Sequence, residues 1–247
     1  MRQIGETKWM DVILDTDTME ITVVQRWKYI FESVTGYDWT ENAKKIVRSG
    51  IKDLIYMCWN EKAYAIVNTN QGNSFNRSYG KKEFNINFKV ETVTCGEHWN
   101  VIVVKNNPDS SANSTGVEWE GRRIYLNDFD LYSNRGYSAY ARHGIIYTKV
   151  RDQCAVAHEF GHAIGNNGTE FYTGDEYVEI DPQHIIIEED GFAQYDFKHL
   201  TFKNRALHED AESMMNVGNE IRHRHFAFIR DVLQEMFPGS YFSIRLS

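Results

Sequence analysis

Three residues in the stretch "CAVAHEFGHAIG", Cys154 to Gly165, carry groups that could act together on one ion: His158, Glu159 and His162. On an α-helix, positions i and i+4 lie one turn apart on the same face, so both imidazoles can aim at a single metal. Neutral imidazole suits zinc, and a catalytic zinc takes three protein ligands and keeps a fourth position for water. Glu159 would sit beside that water, accept its proton during attack on a carbonyl and pass it to the leaving amine. The plain alternative is a chance spacing of two surface histidines in a chain that has nine. The Ala, Val, Phe and Ile flanks and the stop at Gly165 favour a helix with one buried side, and with it the metal reading. Cys154 falls one turn upstream on the same face. Three successive turns span too great a length for one ion, so it reads as a small buried residue.

"HEFGHAIG" resembles the start of the metzincin signature, His-Glu-x-x-His-x-x-Gly-x-x-His/Asp, and "ESMMNVG" resembles the metzincin Met-turn, with Met215 in a Ser-x-Met-Asn setting. The likeness covers roughly the last 100 residues. It implies an α+β metzincin-like zincin: an N-terminal mixed sheet with helices, an active-site helix, and a smaller irregular C-terminal subdomain holding the Met-turn and a final helix. It also implies a zinc peptidase, with Zn2+ as the cofactor. The chain departs from the pattern at the third ligand, because Gly168 stands six residues after His162 and can bind nothing. A bacterial branch of metzincin-like peptidases, and effector domains of contractile (type VI-like) secretion systems, carry Asp-Glu-Tyr soon after the glycine and an Arg-His pair before the last helix. This chain has Asp175-Glu176-Tyr177 and Arg224-His225, as if "NNGTEFY" were inserted before the ligand. The resemblance therefore implies His158, His162 and Asp175 as metal ligands. Glu176 is the alternative third ligand, and Glu188, Glu189 and Glu212 are further candidates. Two readings of His225 stay open, a solvated helix start or a cleft residue that hydrogen-bonds the oxyanion.

These groups need a scaffold. Residues 10–36 alternate loosely and predict one or two strands. "DWTENAKKIVRSGIKDLIYMCWN" steps its apolar residues by three and four, which predicts an amphipathic helix capped by Thr40. "AYAIVN", "KEFNINFKVETV" and "WNVIVVKN" predict strands, with Phe84, Ile86, Phe88 and Val90 on one face. The 108–116 segment predicts a loop. "RRIYLNDFDL" predicts the last strand before the motif and the cleft's upper edge, where an extended substrate could add as a strand. From Tyr147 the pattern reads helical through Ile164, residues 166–212 read irregular, and a last helix is expected from Arg222 to Phe237 before Pro238-Gly239. The expectation is one domain, 1–247, with a sheet-and-helix part (1–165) and a C-terminal part (166–247) facing each other across a cleft.

A net charge of −8, with both signs scattered, argues against nucleic acid or anionic lipid as a partner. The three cysteines match no disulfide framework or metal spacing. No apolar leader follows Met1 and no run is long enough to span a bilayer, so a leaderless soluble protein is expected, cytoplasmic in the producing cell. The effector likeness implies export by a contractile secretion system, toxin action on another cell, and an immunity protein or the secretion apparatus as partners beside a protein or peptide substrate. Two rival functions are a binding module around a closed structural zinc and a zinc amidase acting on a non-protein amide such as a cell-wall cross-link.

Overall fold

A computed structural model describes residues 1–33, 38–105, 115–132, 134–142, 145–180, 185–187, 193–195 and 200–247. Its strands, in chain order, are β1 (Arg2–Glu6), β2 (Asp11–Asp15), β3 (Glu20–Ser33), β4 (Ala63–Val67), β5 (Glu83–Thr92), β6 (Trp99–Lys105), β7 (Gly116–Glu118) and β8 (Arg123–Asn127). Then come β9 (Asn134–Arg142), β10 (Ile145–Gln153), β11 (Val178–Ile180), β12 (Ile185–Ile187), β13 (Ala193–Tyr195), β14 (Leu200–Phe202) and β15 (Phe242–Leu246). The helices are α1 (Glu41–Trp59), α2 (Ser74–Tyr79), α3 (Ala155–Ala163) and α4 (Ala227–Met236).

Nine strands form one mixed sheet in the order β15-β4-β5-β3-β6-β8-β7, with β2 also on β3 and β1 on β2. β3 is long enough to serve two neighbours on one side: Glu20–Val24 pair with β2 and Trp27–Ser33 run parallel to β6. The period-two pattern of β5 behaves as expected, with Phe84, Ile86, Phe88 and Val90 all buried. α1 starts at Thr40, whose hydroxyl accepts from the Ala43 amide at 3.2 Å. It turns Val47, Ile51, Ile55 and Trp59 into the core, while Ile46 stays exposed. An α+β fold with a mixed sheet is the result.

α3 is short and mostly buried, so its position is set by the core. Phe160 inserts among Trp27, Trp59 and Phe88, with ring centroids at 6.2, 5.9 and 5.3 Å. Burying such a side chain contributes on the order of 1.5–3 kcal/mol. Two side chains also grip the helix backbone: Trp59 Nε1 donates to the Ala157 carbonyl at 2.9 Å, and Gln25 Nε2 donates to that of Ala163 at 2.8 Å. Both ends of the helix are thereby fixed against the sheet and α1.

Five expectations change. Residues 166–212, expected to be irregular, hold two short hairpin-like pairs, β11 with β14 and β12 with β13. The helical reading from Tyr147 is replaced by β10, which pairs with β9 along its whole length, and α3 begins only at Ala155. β8 is not an edge, because β6 and β7 flank it, and β7 supplies the sheet's border. The last helix opens as a 3-10 turn over His223–Phe226 before α4. β15 returns to pair with β4, so the C-terminal part ends as the outermost described strand of the N-terminal sheet on that side. Among the described residues, no helix is long and apolar enough to cross a membrane.

Candidate metal centre and cleft

His158 and His162 leave α3 on one side and meet Asp175, which the 166–174 loop brings back over the helix. Nε2 of His158 and Nε2 of His162 lie 3.2 and 3.1 Å from the same atom, Asp175 Oδ1. Ligands at zinc bond lengths of about 2.0–2.1 Å in a tetrahedral shell stand roughly 3.3 Å apart. These three are the cluster with metal-ligand spacing among the described residues.

The outer nitrogens fix the tautomers. His158 Nδ1 faces the Met214 carbonyl at 2.7 Å and His162 Nδ1 faces the Asn166 carbonyl at 2.5 Å. A carbonyl can only accept, so each ring carries its proton on Nδ1 and, when neutral, turns a lone pair from Nε2 toward the carboxylate. Three acceptors aimed at one point call for a cation between them. The surrounding carboxylates favour positive charge at the same place, a charge that either an ion or a proton on His162 supplies. Burial lowers the His162 pKa, but the Asp175 hydrogen bond and the Glu159 carboxylate raise it more, to about 9. Burial likewise presses the Asp175 carboxyl upward, yet the two histidines hold it well below the usual carboxylate range.

Glu159 is buried beside this cluster, and its Oε2 has no hydrogen-bond partner. Burial raises its pKa, against the pull of His158 and His162. A carboxylate oxygen withdrawn from solvent and left without a donor is costly, which fits an atom whose partner arrives with the reacting molecule. The donor set, two imidazoles and one carboxylate with this oxygen alongside, suits zinc.

Beneath α3 runs the loop of Ser213–Gly218. Met214 and Met215 are fully buried, and Met215 Sδ packs under Gly161, where a Cβ would lie 2.5 Å from the sulfur and 3.1 Å from Trp59 Cζ2. Only glycine admits that approach between the two histidines. Gly161→Ala is therefore expected to lower stability by about 1–3 kcal/mol through overpacking, as measured by thermal denaturation. The Met215 carbonyl accepts from the Glu176 amide at 2.8 Å, which ties this loop to the residue after Asp175.

The other predicted residues divide plainly. Glu176 points away from the cluster: it is fully buried and takes Arg224 Nε and an Nη at 2.7 and 2.8 Å. The alternative ligand Glu176 thus lies outside the cluster that His158, His162 and Asp175 form. Burial raises the Glu176 pKa, but hydrogen bonds from Arg224, His225 and Ser213 bring it from 4.5 to about 2. His225 is not a cleft residue. Its ring is buried against Trp59, Nδ1 accepts from the Arg222 amide at 3.1 Å, and Nε2 lies 3.2 Å from Ser213 Oγ. The oxyanion role falls for that reason, and the histidine instead braces the methionine loop. Glu212 lies outside the cluster. Glu188 and Glu189 lie outside the described residues.

Arg224→Met tests the Glu176 pair. It strands a carboxylate in the interior, and a loss of about 3–5 kcal/mol in stability at neutral pH is expected from denaturant titration. Because the folded pKa is depressed, the pair's contribution is complete above about 4.5 and is lost as pH falls toward about 2. The gap between wild type and variant should accordingly narrow across that window.

The His158–His162–Asp175 cluster opens onto a cleft of ≈ 510 Å³. Thr115, Gly116 and Val117, at and before β7, the last strand of the sheet among the described residues, line one side, and Lys203 and Asn204 also contribute to the lining. Trp119 and Tyr172 add aromatic wall, backed by Phe228 at 5.6 and 5.4 Å. Tyr177 also lines the cleft, with its ring 6.4 Å from His158; burial and the neighbouring Asp175 carboxylate push its phenol pKa up. Sequence reasoning named Tyr177 within a motif without giving it a task, and it missed Trp119, Tyr172 and Lys203. Single aromatic and basic residues in loops carry no spacing signal; only the return of the chain places them.

Compared with protein-family models, curated proteins and solved structures, the chain matches none.

Proposed function

We propose that this chain is a zinc-dependent endopeptidase of metzincin-like design. The observation that carries the reading is the convergence of His158 Nε2, His162 Nε2 and Asp175 Oδ1 beside the buried, unpartnered Glu159 Oε2 at a cleft. His158, His162 and Asp175 would hold the zinc, which when bound acts as a Lewis acid and brings the pKa of a water toward ~7. Glu159 Oε2 takes a proton from the attacking water and returns it to the amine of the departing half. Tyr177, which lines the cleft beside His158, donates its O–H to the oxyanion that develops on the carbonyl. An extended substrate pairs its main chain with β7, which orients the scissile bond along the cleft. The methionine loop under Gly161 has the place that the metzincin resemblance expects, and this supports the family reading.

A purely structural zinc gives no use to an unpartnered carboxylate at its side, so Glu159 favours the enzyme over a binding module. The direct test is peptide hydrolysis by zinc-loaded protein, for instance of casein. Activity should vanish with a zinc chelator and return on adding zinc. Stoichiometric zinc with no cleavage of peptides, but release of amines from cell-wall cross-links, would move the assignment to the amidase.

A further inference from the structure

Five aromatic side chains form one connected cluster beside the cleft, and two of them, Trp119 and Tyr172, line it. Trp119 directly follows β7. Trp9 stacks on it with ring centroids at 4.6 Å and planes 23° apart, and Trp99 lies at 5.6 Å. Phe228 meets it at 5.6 Å and 83°, and Trp9 Nε1 donates to the Trp119 carbonyl at 3.2 Å. Tyr172 stands in the 166–174 loop and meets the same Phe228 at 5.4 Å and 70°. Its hydroxyl donates to Asp231 Oδ2 on α4 at 3.2 Å, which pins the far end of the ring. Phe228 is thus the shared backing, and it is keyed to the helix that bears His158 and His162. A Cβ on Gly165, just past the end of α3, would fall 2.2 Å from Phe228 Cβ. Trp119 and Tyr172 are only half-buried, so each keeps surface for a ligand.

We propose that Trp119 and Tyr172 are specificity-determining residues that form a subsite for an aromatic side chain, so that the cut falls at a fixed distance from a Phe, Tyr or Trp of an extended substrate. This rests on the peptidase reading of the same cleft and names the substrate class for it. Aromatic pairs favour edge-to-face and offset contacts with centroids about 4.5–7 Å apart, the spacing already used throughout the cluster, and an incoming ring continues it. The two rings are held before any substrate arrives, so little ordering cost is set against the contact.

Charge offers a weaker basis for selection. Beside His158, Glu159, His162 and Asp175, the charged side chain among the described lining residues is Lys203, and Glu179 meets it at 2.9 Å. Gly116, Gly168 and Gly174 line the same cleft and leave room for a large group. A volume of ≈ 510 Å³ admits an aromatic side chain together with its flanking main chain.

The test has two arms, both on the full chain. In the first, the zinc-loaded protein digests a random peptide library and the products are aligned on the cut bond. One position should be enriched in Phe, Tyr and Trp. In a single peptide built on that alignment, Phe should exceed Ala in kcat/KM by roughly 10–100-fold, as burial of such a ring gives. It should exceed Leu by roughly 2–10-fold, the margin that ring–ring contact adds. Tyr172→Ala should collapse the Phe-to-Ala ratio, and Tyr172→Phe, which keeps the ring, should retain it.

The second arm needs no catalysis. Tryptophan fluorescence and ligand-observed NMR compare acetyl-Gly-Phe-Gly-amide with acetyl-Gly-Ala-Gly-amide. The Phe peptide should bind at least roughly tenfold more tightly, and Tyr172→Ala should remove the difference. Cleavage of no library peptide, with this binding preference intact, would end the peptidase reading and leave the aromatic subsite standing. Cleavage without aromatic enrichment at any position, or equal binding of the two short peptides, would overturn the subsite. Both arms compare side chains on the wild-type protein, so a variant that fails to fold leaves the outcome decisive.

Discussion

Glu159→Gln is expected to keep its fold and its zinc while kcat for peptide hydrolysis falls about 10²–10⁴-fold, the range of a positioned general base. The substitution is nearly isosteric, touches none of the three atoms that converge on the metal position, and removes a carboxylate that burial already penalises. Stability should therefore be unchanged or slightly higher, and KM should move little. Metal analysis, thermal denaturation and a casein assay read these three quantities on one preparation. Undiminished turnover would remove Glu159 from the mechanism.

The second large effect separates two neighbours. Asp175→Ala is expected to reduce zinc affinity by far more than the ~10–100-fold typical of a group that only supports a ligand. A carboxylate supplies charge and a lone pair at once, so its loss removes a direct metal contact and a compensating charge together. His158→Ala and His162→Ala should match it, each leaving two donors. Glu176→Ala should behave differently, losing stability through the lost Arg224 hydrogen bonds (Arg224 keeps its pair with Asp210) while retaining zinc within a modest factor, because Glu176 faces Arg224 and not the cluster. Competitive titration with a chromophoric chelator measures all four. Tight zinc binding by Asp175→Ala would show that another group closes the site.

Legibility in the sequence followed the range of the physics. Thr40, the period of α1 and the alternating face of β5 are local patterns, and each is found where it was read. The His158–His162 spacing is also local, and the two rings do converge. Asp175 could be proposed through a resemblance but not calculated, because nothing in the spacing from His162 says how a loop folds back. β9 and β10 were lost because an apolar run near Tyr147 fits either period, and the decision lies in pairing. β15 was lost for a related reason: its partner β4 is far away in sequence, and only tertiary pairing selects it. His225 misled because a polar residue beside a suspected cleft resembles chemistry, whereas three-dimensional packing makes it a brace under the methionine loop.

The loop that delivers Asp175 is fastened at its base. Asn166 Nδ2 donates to the Gly161 carbonyl at 2.7 Å, Thr173 Oγ1 donates to Asn166 Oδ1 at 2.8 Å, and the Gly168 amide donates to the Thr173 carbonyl at 3.2 Å. At this neck a Cβ on Gly174 would fall 2.6 Å from Gly168 Cα, so the two strands of the loop touch through glycine alone. Beyond it Thr169, Glu170 and Phe171 stand in solvent, with Phe171 78% exposed. Lengthening such a tip costs little, about 0.6 kcal/mol per doubling of a flexible loop. The placement of Asp175 beside the two histidines is thus insulated from the tip, and the tip borders the cleft at Thr169 and Tyr172. Selection or an engineer can rewrite these residues, or graft a longer recognition segment in their place, and so redirect what the cleft accepts without rebuilding the chemistry beneath it.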